Sequence, residues 1–374
     1  MKLFLGGDIC PTPITAPYFD SGDLSALFGT VQALTASGDA FVANLECALT
    51  DSDTPIRKCG PNLRGRPGYA KLLKEFGLTA VGLSNNHVFD FGQPGIRETL
   101  ASLDAAELPW TGVGEDEQDA RRPLFLQICG KTVAFVCVAE HEYSYALPKI
   151  GSKPGRIGVW GFDPFECMED ITKAKAQSDY VIVMYHGGKE QCCYPSPRLR
   201  RACRAMVRAG ADFVTCQHSH CIGCYEEYQG SGILYGQGNF NFVTESTNPQ
   251  WHHGLLLEID ETDGRLIPTF HPLIVTETGV TLDTGESRAY ELDEMAKRNV
   301  ILQDDEAWMQ GWRDFCLSKK EGYREGVARA FRDNPTDTPA EIFPHYLDCE
   351  AHTDVWRELY QTWHKAAIDE QGSF

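Results

Sequence analysis

The feature that most constrains this chain is a pattern repeated five times: a short, β-rich apolar run ending in residues able to bind a metal ion. Residues 2–6 lead into Asp8, 40–43 into Asn44 and Glu46, and 79–83 into Asn85, Asn86 and His87. Residues 180–185 lead into His186, and 212–216 into Gln217, His218 and His220. Such runs, unbroken by polar alternation, suit strands buried on both faces. Helical stretches lie between them. The stretch 67–76 opens on Pro67 and is followed by Gly77, the asymmetry expected of a helix, and 94–106, 163–176 and 196–209 complete the set. Strands alternating with helices predict an α/β protein with a largely parallel sheet. Ligands of such sheets bind beyond the carboxyl ends of the strands, so the five tips are expected to converge on one edge.

After Cys216 the character changes. Residues 222–228 and 233–235 read as short strands around Gly230-Ser231-Gly232, and 254–259 with 266–275 as a hairpin around Thr262-Asp263-Gly264. Together they are expected to form a second, mainly antiparallel sheet. From about Arg288 the chain is polar and helical. Trp308, Trp312, Phe315, Trp356, Tyr360 and Trp363 recur there at roughly helical spacing, a stripe expected to pack on the body of the protein. The division expected is a body of residues 1–285 and a helical extension of 286–374 packed on it.

The net charge of −19 excludes non-specific binding of nucleic acid, which needs a basic surface. An anionic substrate would have to be attracted locally, by metals or arginines. No run reaches the roughly 18 apolar residues of a membrane span. The apolar stretch after Met1 reads as a strand, so no membrane segment and a cytoplasmic location are expected. The 14 cysteines are scattered, and most read as small buried hydrophobes. Cys221 and Cys224 form a CxxC without the second pair a zinc knuckle wants.

Two divalent cations that activate water need a bridging carboxylate, neutral imidazoles and further oxygen donors. The strand tips supply these types: Asp8 and Glu46 as carboxylates, Asn86 as an amide oxygen, His186, His218 and His220 as imidazoles. His218 and His220, two apart beyond a strand end, can turn both rings into one cavity. Glu190 is expected to orient His186, since a metal-bound histidine gives its other N–H to such a partner. His141 and Glu142 read equally as pocket lining or exposed loop. Trp251-His252-His253 reads as a surface loop, and Arg200, Arg204 and Arg208 as a solvated helix face.

Seven motifs stand in order: Gly-Asp at 7–8, Asn-Leu-Glu at 44–46, Ser-Asn-Asn-His-Val-Phe-Asp-Phe-Gly at 84–92, His-Gly-Gly-Lys-Glu at 186–190, Gly-Ala-Asp-Phe-Val at 210–214, Gln-His-Ser-His at 217–220 and Tyr-Gly-Gln-Gly-Asn-Phe at 235–240. Over residues 1–280, roughly, the set resembles the CapA family of poly-γ-glutamate capsule biosynthesis proteins, within the calcineurin-like metallophosphoesterase superfamily. The resemblance implies a metallophosphoesterase-like β-sandwich flanked by helices, four layers α/β/β/α, with the C-terminal helices appended. It implies a metal-dependent hydrolase acting on a phosphoester-like or acyl centre of a small or polymeric anionic substrate. The alternative is a protein that binds poly-γ-glutamate through metal without turnover.

The cofactor implied is one or two divalent ions (Mn, Fe, Zn or Mg). Asp8 and His220 would hold the first, Asn86, His186 and His218 the second, with Glu46 bridging. His87 would sit beside the substrate as general acid or transition-state donor. Asn44, Arg64, Asn85, Asp90, Glu190 and Asn239 fall at substrate-binding or supporting positions. The superfamily usually carries His two residues after the first Asp; here Cys10 stands in that ligand's place. Family members are usually membrane-associated and extracytoplasmic, from which the expected location departs.

Overall fold

The structure, a computed structural model, describes residues 1–331 and 339–371; the side chain of Trp363 lies outside the described residues. Its first sheet has eight strands among the described residues. Lys2–Ile9 lies in the middle, parallel to Ala40–Leu45 and to the short Asn239–Asn241, and antiparallel to His253–Thr262. Ala80–Gly82 and Trp110–Thr111 extend it on one side, Arg265–Val275 and Val280–Leu282 on the other. A second sheet runs in the order Tyr225–Tyr228, Ser231–Leu234, Phe213–Gln217, Tyr180–His186, Lys131–Ala139, Leu124–Ile128.

The period-2 alternation of side chains explains why these runs are apolar throughout. Leu3, Leu5 and Val42 point into a core between the sheets, against Phe135, Ile182, Met184 and Phe213. Phe4, Phe41 and Val81 point the other way, onto Leu73 and Phe76 of the helix Tyr69–Phe76 and Ile96 of the helix Gly92–Ala105. On the second sheet Val136, Val181, Val183 and Val214 face outward, onto Ile171 of Pro164–Lys175 and Cys203 and Met206 of Pro197–Ala209. The result is an α/β/β/α sandwich.

Two expectations are corrected. The five strand tips do not share one sheet: three belong to the first and two to the second. A run buried on both faces reads the same under helices on both sides as between a helix layer and another sheet. The strands after Cys216 form no sheet of their own. Tyr225–Tyr228 and Ser231–Leu234 join the second sheet, whereas the hairpin of His253–Thr262 and Arg265–Val275 joins the first, so both sheets are mixed.

The C-terminal helices are Glu286–Gln303, Asp305–Ala330, Pro339–Asp348 and Glu350–Gln371. Asp304 caps the second, accepting from the backbone N–H of Glu306 and Ala307. Leu302 and Trp308 join the outer core of the second sheet. Trp312, Cys316, Tyr323, Val355 and Leu359 close a smaller core around Cys192. Among the described residues the aromatic stripe is thus packed, apart from the exposed Tyr360. Arg200 departs from the solvated face expected of it. It is buried, bonds Asp305 and the Leu302 carbonyl at 2.9 and 2.8 Å, and stacks on Trp308. Among the described residues no helix is long and apolar enough to cross a membrane.

Candidate metal centre

Strand register builds the site. Asp8 lies beside both Asn44 and Asn239 in the parallel ladders of the first sheet. His186 lies beside Gln217 in the second, so His218 emerges one residue later. Asp8, Asn44, His186 and Gln217 sit at or near carboxyl ends of parallel strands, Asn239 opens its own, and the two sheets bring the sets face to face. The close approach around Asn239 requires glycine. A Cβ on Gly254 would stand 1.8 Å from the Asn239 carbonyl oxygen, and one on Gly7 2.7 Å from that of Gly238.

Ligand atoms of Glu46, His186 and His218 lie within 4.8 Å of one another, and so do those of Asp8, Glu46 and His220. Glu46 is common to both groups. All five side chains are buried. Asn86 brings its Oδ1 to 3.0 Å from His186 Nε2, which also lies 3.3 Å from Glu46 Oε1. Both carboxylate oxygens of Glu46 and the Nδ1 of His218 are buried with no hydrogen-bond partner. An unpaired buried carboxylate costs several kcal/mol, and a cation is the partner that would remove the cost. The donor set therefore fits divalent metal. His218 and His220 both adopt positive φ, 83° and 50°, a conformation that costs a non-glycine residue energy and collects at functional sites.

The electrostatics match. Burial, then the charge of Glu46, pushes the Asp8 carboxyl up to about 6. Burial holds His186 down at about 4 and His218 well below its ordinary range, so both rings are neutral and keep a lone pair for a ligand. Burial acts the same way on His220, but Glu46 and Asp8 outweigh it and raise that ring.

Supporting bonds fix these groups. His220 Nδ1 lies 2.8 Å from Asn239 Oδ1, an acceptor that sets the tautomer and leaves Nε2 free. The same ring stacks on Trp251, centroids 4.1 Å apart, so Trp251 belongs to the site and not to a surface loop. Asn44 donates to Asp8 Oδ1 at 2.8 Å and accepts from Asn85 at 3.1 Å. Asn85 in turn accepts from the backbone N–H of His87 and Val88, which shapes the loop carrying His87. His87 Nδ1 lies 2.7 Å from Asp90 Oδ2 and 3.1 Å from Lys58 Nζ, and Lys58 and Asp90 form a buried ion pair. Burial and then Lys58 lower the His87 pKa against the pull of Asp90.

Three candidates take other places than expected. Glu190 does not orient His186, whose ring nitrogens face Asn44 and Asp8 on one side and Asn86 and Glu46 on the other, but its charge acts on Glu46 and His220. Arg64 pairs with Asp53 at 2.9 Å and lies over Phe91, neither of them in the ligand groups. Cys10 turns its thiol to the Pro11 carbonyl and Cys47, is raised by burial, and belongs to neither group. Two residues of the site carried weak signals or none. Glu142 is half-buried and pushed up to about 8, chiefly by burial, and its Oε1 lies 3.8 Å from His218 Nε2. Lys58 sits in a polar loop, where a lysine reads as solvated; only the fold buries it.

The chain is similar to several known proteins. A family model described as bacterial capsule synthesis protein PGA_cap matches residues 2–244. The capsule biosynthesis protein CapA of Bacillus anthracis is 31% identical over 185 residues, 48% of this chain and 44% of that protein. The PGA biosynthesis protein CapA of Bacillus subtilis (strain 168) is 28% identical over 246 residues, 63% of this chain and 62% of that one. The chain thus spans between 44% and 62% of the length of these relatives. A hypothetical protein from Thermus thermophilus superposes with a TM-score of 0.46 at 16% identity, over 76% of this chain and 100% of its own. With the family model matching well over half of its residues, the chain belongs to the PGA_cap family of bacterial capsule synthesis proteins.

Proposed function

We propose that this chain is a metal-dependent hydrolase acting on a phosphoester or acyl bond of an anionic substrate, in which Glu46 would serve two divalent cations. Glu46 carries the reading: it is buried, unpartnered at both oxygens, and shared by two ligand groups. Asp8 and His220 would hold one cation, and Asn86, His186 and His218 the other. When bound, such a pair acidifies water and neutralises charge building on a phosphoryl or acyl oxygen. The chain's own residues do the rest. Asn239 and Asn44 hold His220 and Asp8 in place. Asp90, itself paired with Lys58, holds His87 at Nδ1, leaving its Nε2 to donate a hydrogen bond to the leaving group. The relatives named for capsule and PGA biosynthesis support a polymeric anion as the substrate class.

The test is divalent metal content after gentle purification, after chelation and on titration back, followed by a screen of phosphodiesters, phosphomonoesters and γ-glutamyl amides. Two metal equivalents with turnover of one class are expected. Absence of metal throughout would overturn the proposal. Metal-dependent binding of a polyanion without turnover would replace it with the non-catalytic alternative.

A further inference from the structure

Beside the ligand groups lies a cavity of about 500 Å³ that the proposed chemistry does not use. Its walls come from two parts of the chain: Glu142, Tyr143, Tyr145 and Arg156 from the sandwich, and His345 and Asp348 from the helix Pro339–Asp348. Its volume suits part of an organic ligand. Glu142 connects it to the candidate centre, 3.8 Å from His218.

Arg156 dominates this cavity. Its guanidinium lies over Phe89 and Tyr145, at 5.5 and 5.2 Å from the ring centroids, and donates through Nη2 to the Tyr145 carbonyl. Phe89 is two residues from His87. The Nε of Arg156 is buried with no acceptor, and among the described residues no carboxylate forms an ion pair with it. In a chain with net charge −19, a half-buried arginine left without an anion is unusual. Across the cavity His345 stacks on Tyr143 and buries its Nδ1 with no partner. Burial, then Lys189, against the pull of Glu190, hold that ring at about 4, so it is neutral and able to donate. Two acids, Glu142 and Asp348, share the lining.

We propose that this cavity is a subsite for an oxyanion of the substrate, a carboxylate or phosphate remote from the reacting bond, held by Arg156 and by His345 of the C-terminal helix. The planar guanidinium, held over two rings, keeps Nη1 and the second N–H of Nη2 for either anion. The subsite rests on the hydrolase reading for its place in a reaction, but its binding does not depend on metal. The C-terminal helices then contribute to substrate selection.

The test measures binding calorimetrically on the full chain, metal-loaded and chelator-treated. A pentamer of γ-linked glutamate serves as the carboxylate probe and inorganic pyrophosphate as the phosphate probe. Arg156→Gln is expected to weaken the favoured probe about tenfold or more in the chelated protein, Arg156→Lys less, and His345→Ala by an intermediate amount. Thermal melts of each variant separate lost binding from lost folding, with Arg156→Lys preserving the charge if Arg156→Gln unfolds. Arg156-dependent binding of the pentamer alone assigns a carboxylate, and of pyrophosphate alone a phosphate; either supports the subsite. Wild-type protein that binds neither probe, or variants that bind as wild type does, would overturn it. Because the chelated protein carries the readout, failure of the metal proposal leaves this result interpretable.

Discussion

Glu46 is the residue on which most depends. Its carboxylate is costly in the metal-free fold, since burial raises its pKa and no donor meets either oxygen. Glu46→Gln is therefore expected to abolish binding of at least one metal equivalent. In chelator the same variant should be more stable than wild type by about 1–3 kcal/mol in urea unfolding, because an uncharged amide replaces an unpaired acid. A variant less stable than wild type in chelator would show that Glu46 has a structural partner. Asn239 acts one step back, through His220 Nδ1. Asn239→Ala should weaken metal binding about 10- to 100-fold without removing any ligand. Unchanged affinity on metal titration would mean that stacking on Trp251 alone orients the ring. Asp8, Asn86 and the three histidines were legible in the sequence because each follows an apolar run. Lys58 was not, because nothing local distinguishes a buried lysine from a solvated one.

Among elements, the helix Glu350–Gln371 is tied to the loop beside the candidate centre. Its Glu350 accepts from the backbone N–H of His141 and lies 2.7 Å from that ring's Nδ1. The bond to Glu350, ahead of opposing burial, raises the His141 pKa above its ordinary 6.5. A raised folded-state pKa means that the contact stabilises fully below pH 6.5 and is lost as pH climbs through the folded value. His141→Gln should therefore lower the melting temperature at about pH 6 and make progressively less difference from neutral pH upward. A difference independent of pH would show that the charge plays no part. Pro197–Ala209 holds the other anchor. Arg200→Met removes a buried cation bound to Asp305 and the Leu302 carbonyl, and should cost about 2–3 kcal/mol in urea unfolding. Loss below about 0.5 kcal/mol would return Arg200 to the solvated role its spacing suggested.

At the scale of the whole molecule, we propose that residues 286–374 are a packed extension of the body and not a detachable module. Leu302 and Trp308 are shared with the outer core of the second sheet, and the Trp308 indole donates to the Pro195 carbonyl at 2.9 Å. Ending the chain at residue 285 would strip that sheet's helices of their apolar cover, so the product is expected to aggregate on expression. A soluble truncated protein with full metal content would detach the extension from folding.

The sequence alone determined the parts: strands, helices and their order, and a set of metal-capable residues at strand ends. Those signals are local, set by hydrophobic period, by caps and by residue type at a tip. Tertiary structure decided how the parts combine. It divided the five tips between two facing sheets, sent the two later hairpins to different sheets, buried Lys58, and brought Glu142 and Trp251 beside the ligands. It also turned Cys10, Arg64 and Glu190 away from the roles their positions suggested. Strand partners and side-chain directions depend on contacts between residues far apart in the chain, and no local pattern encodes which distant surface a buried face will meet.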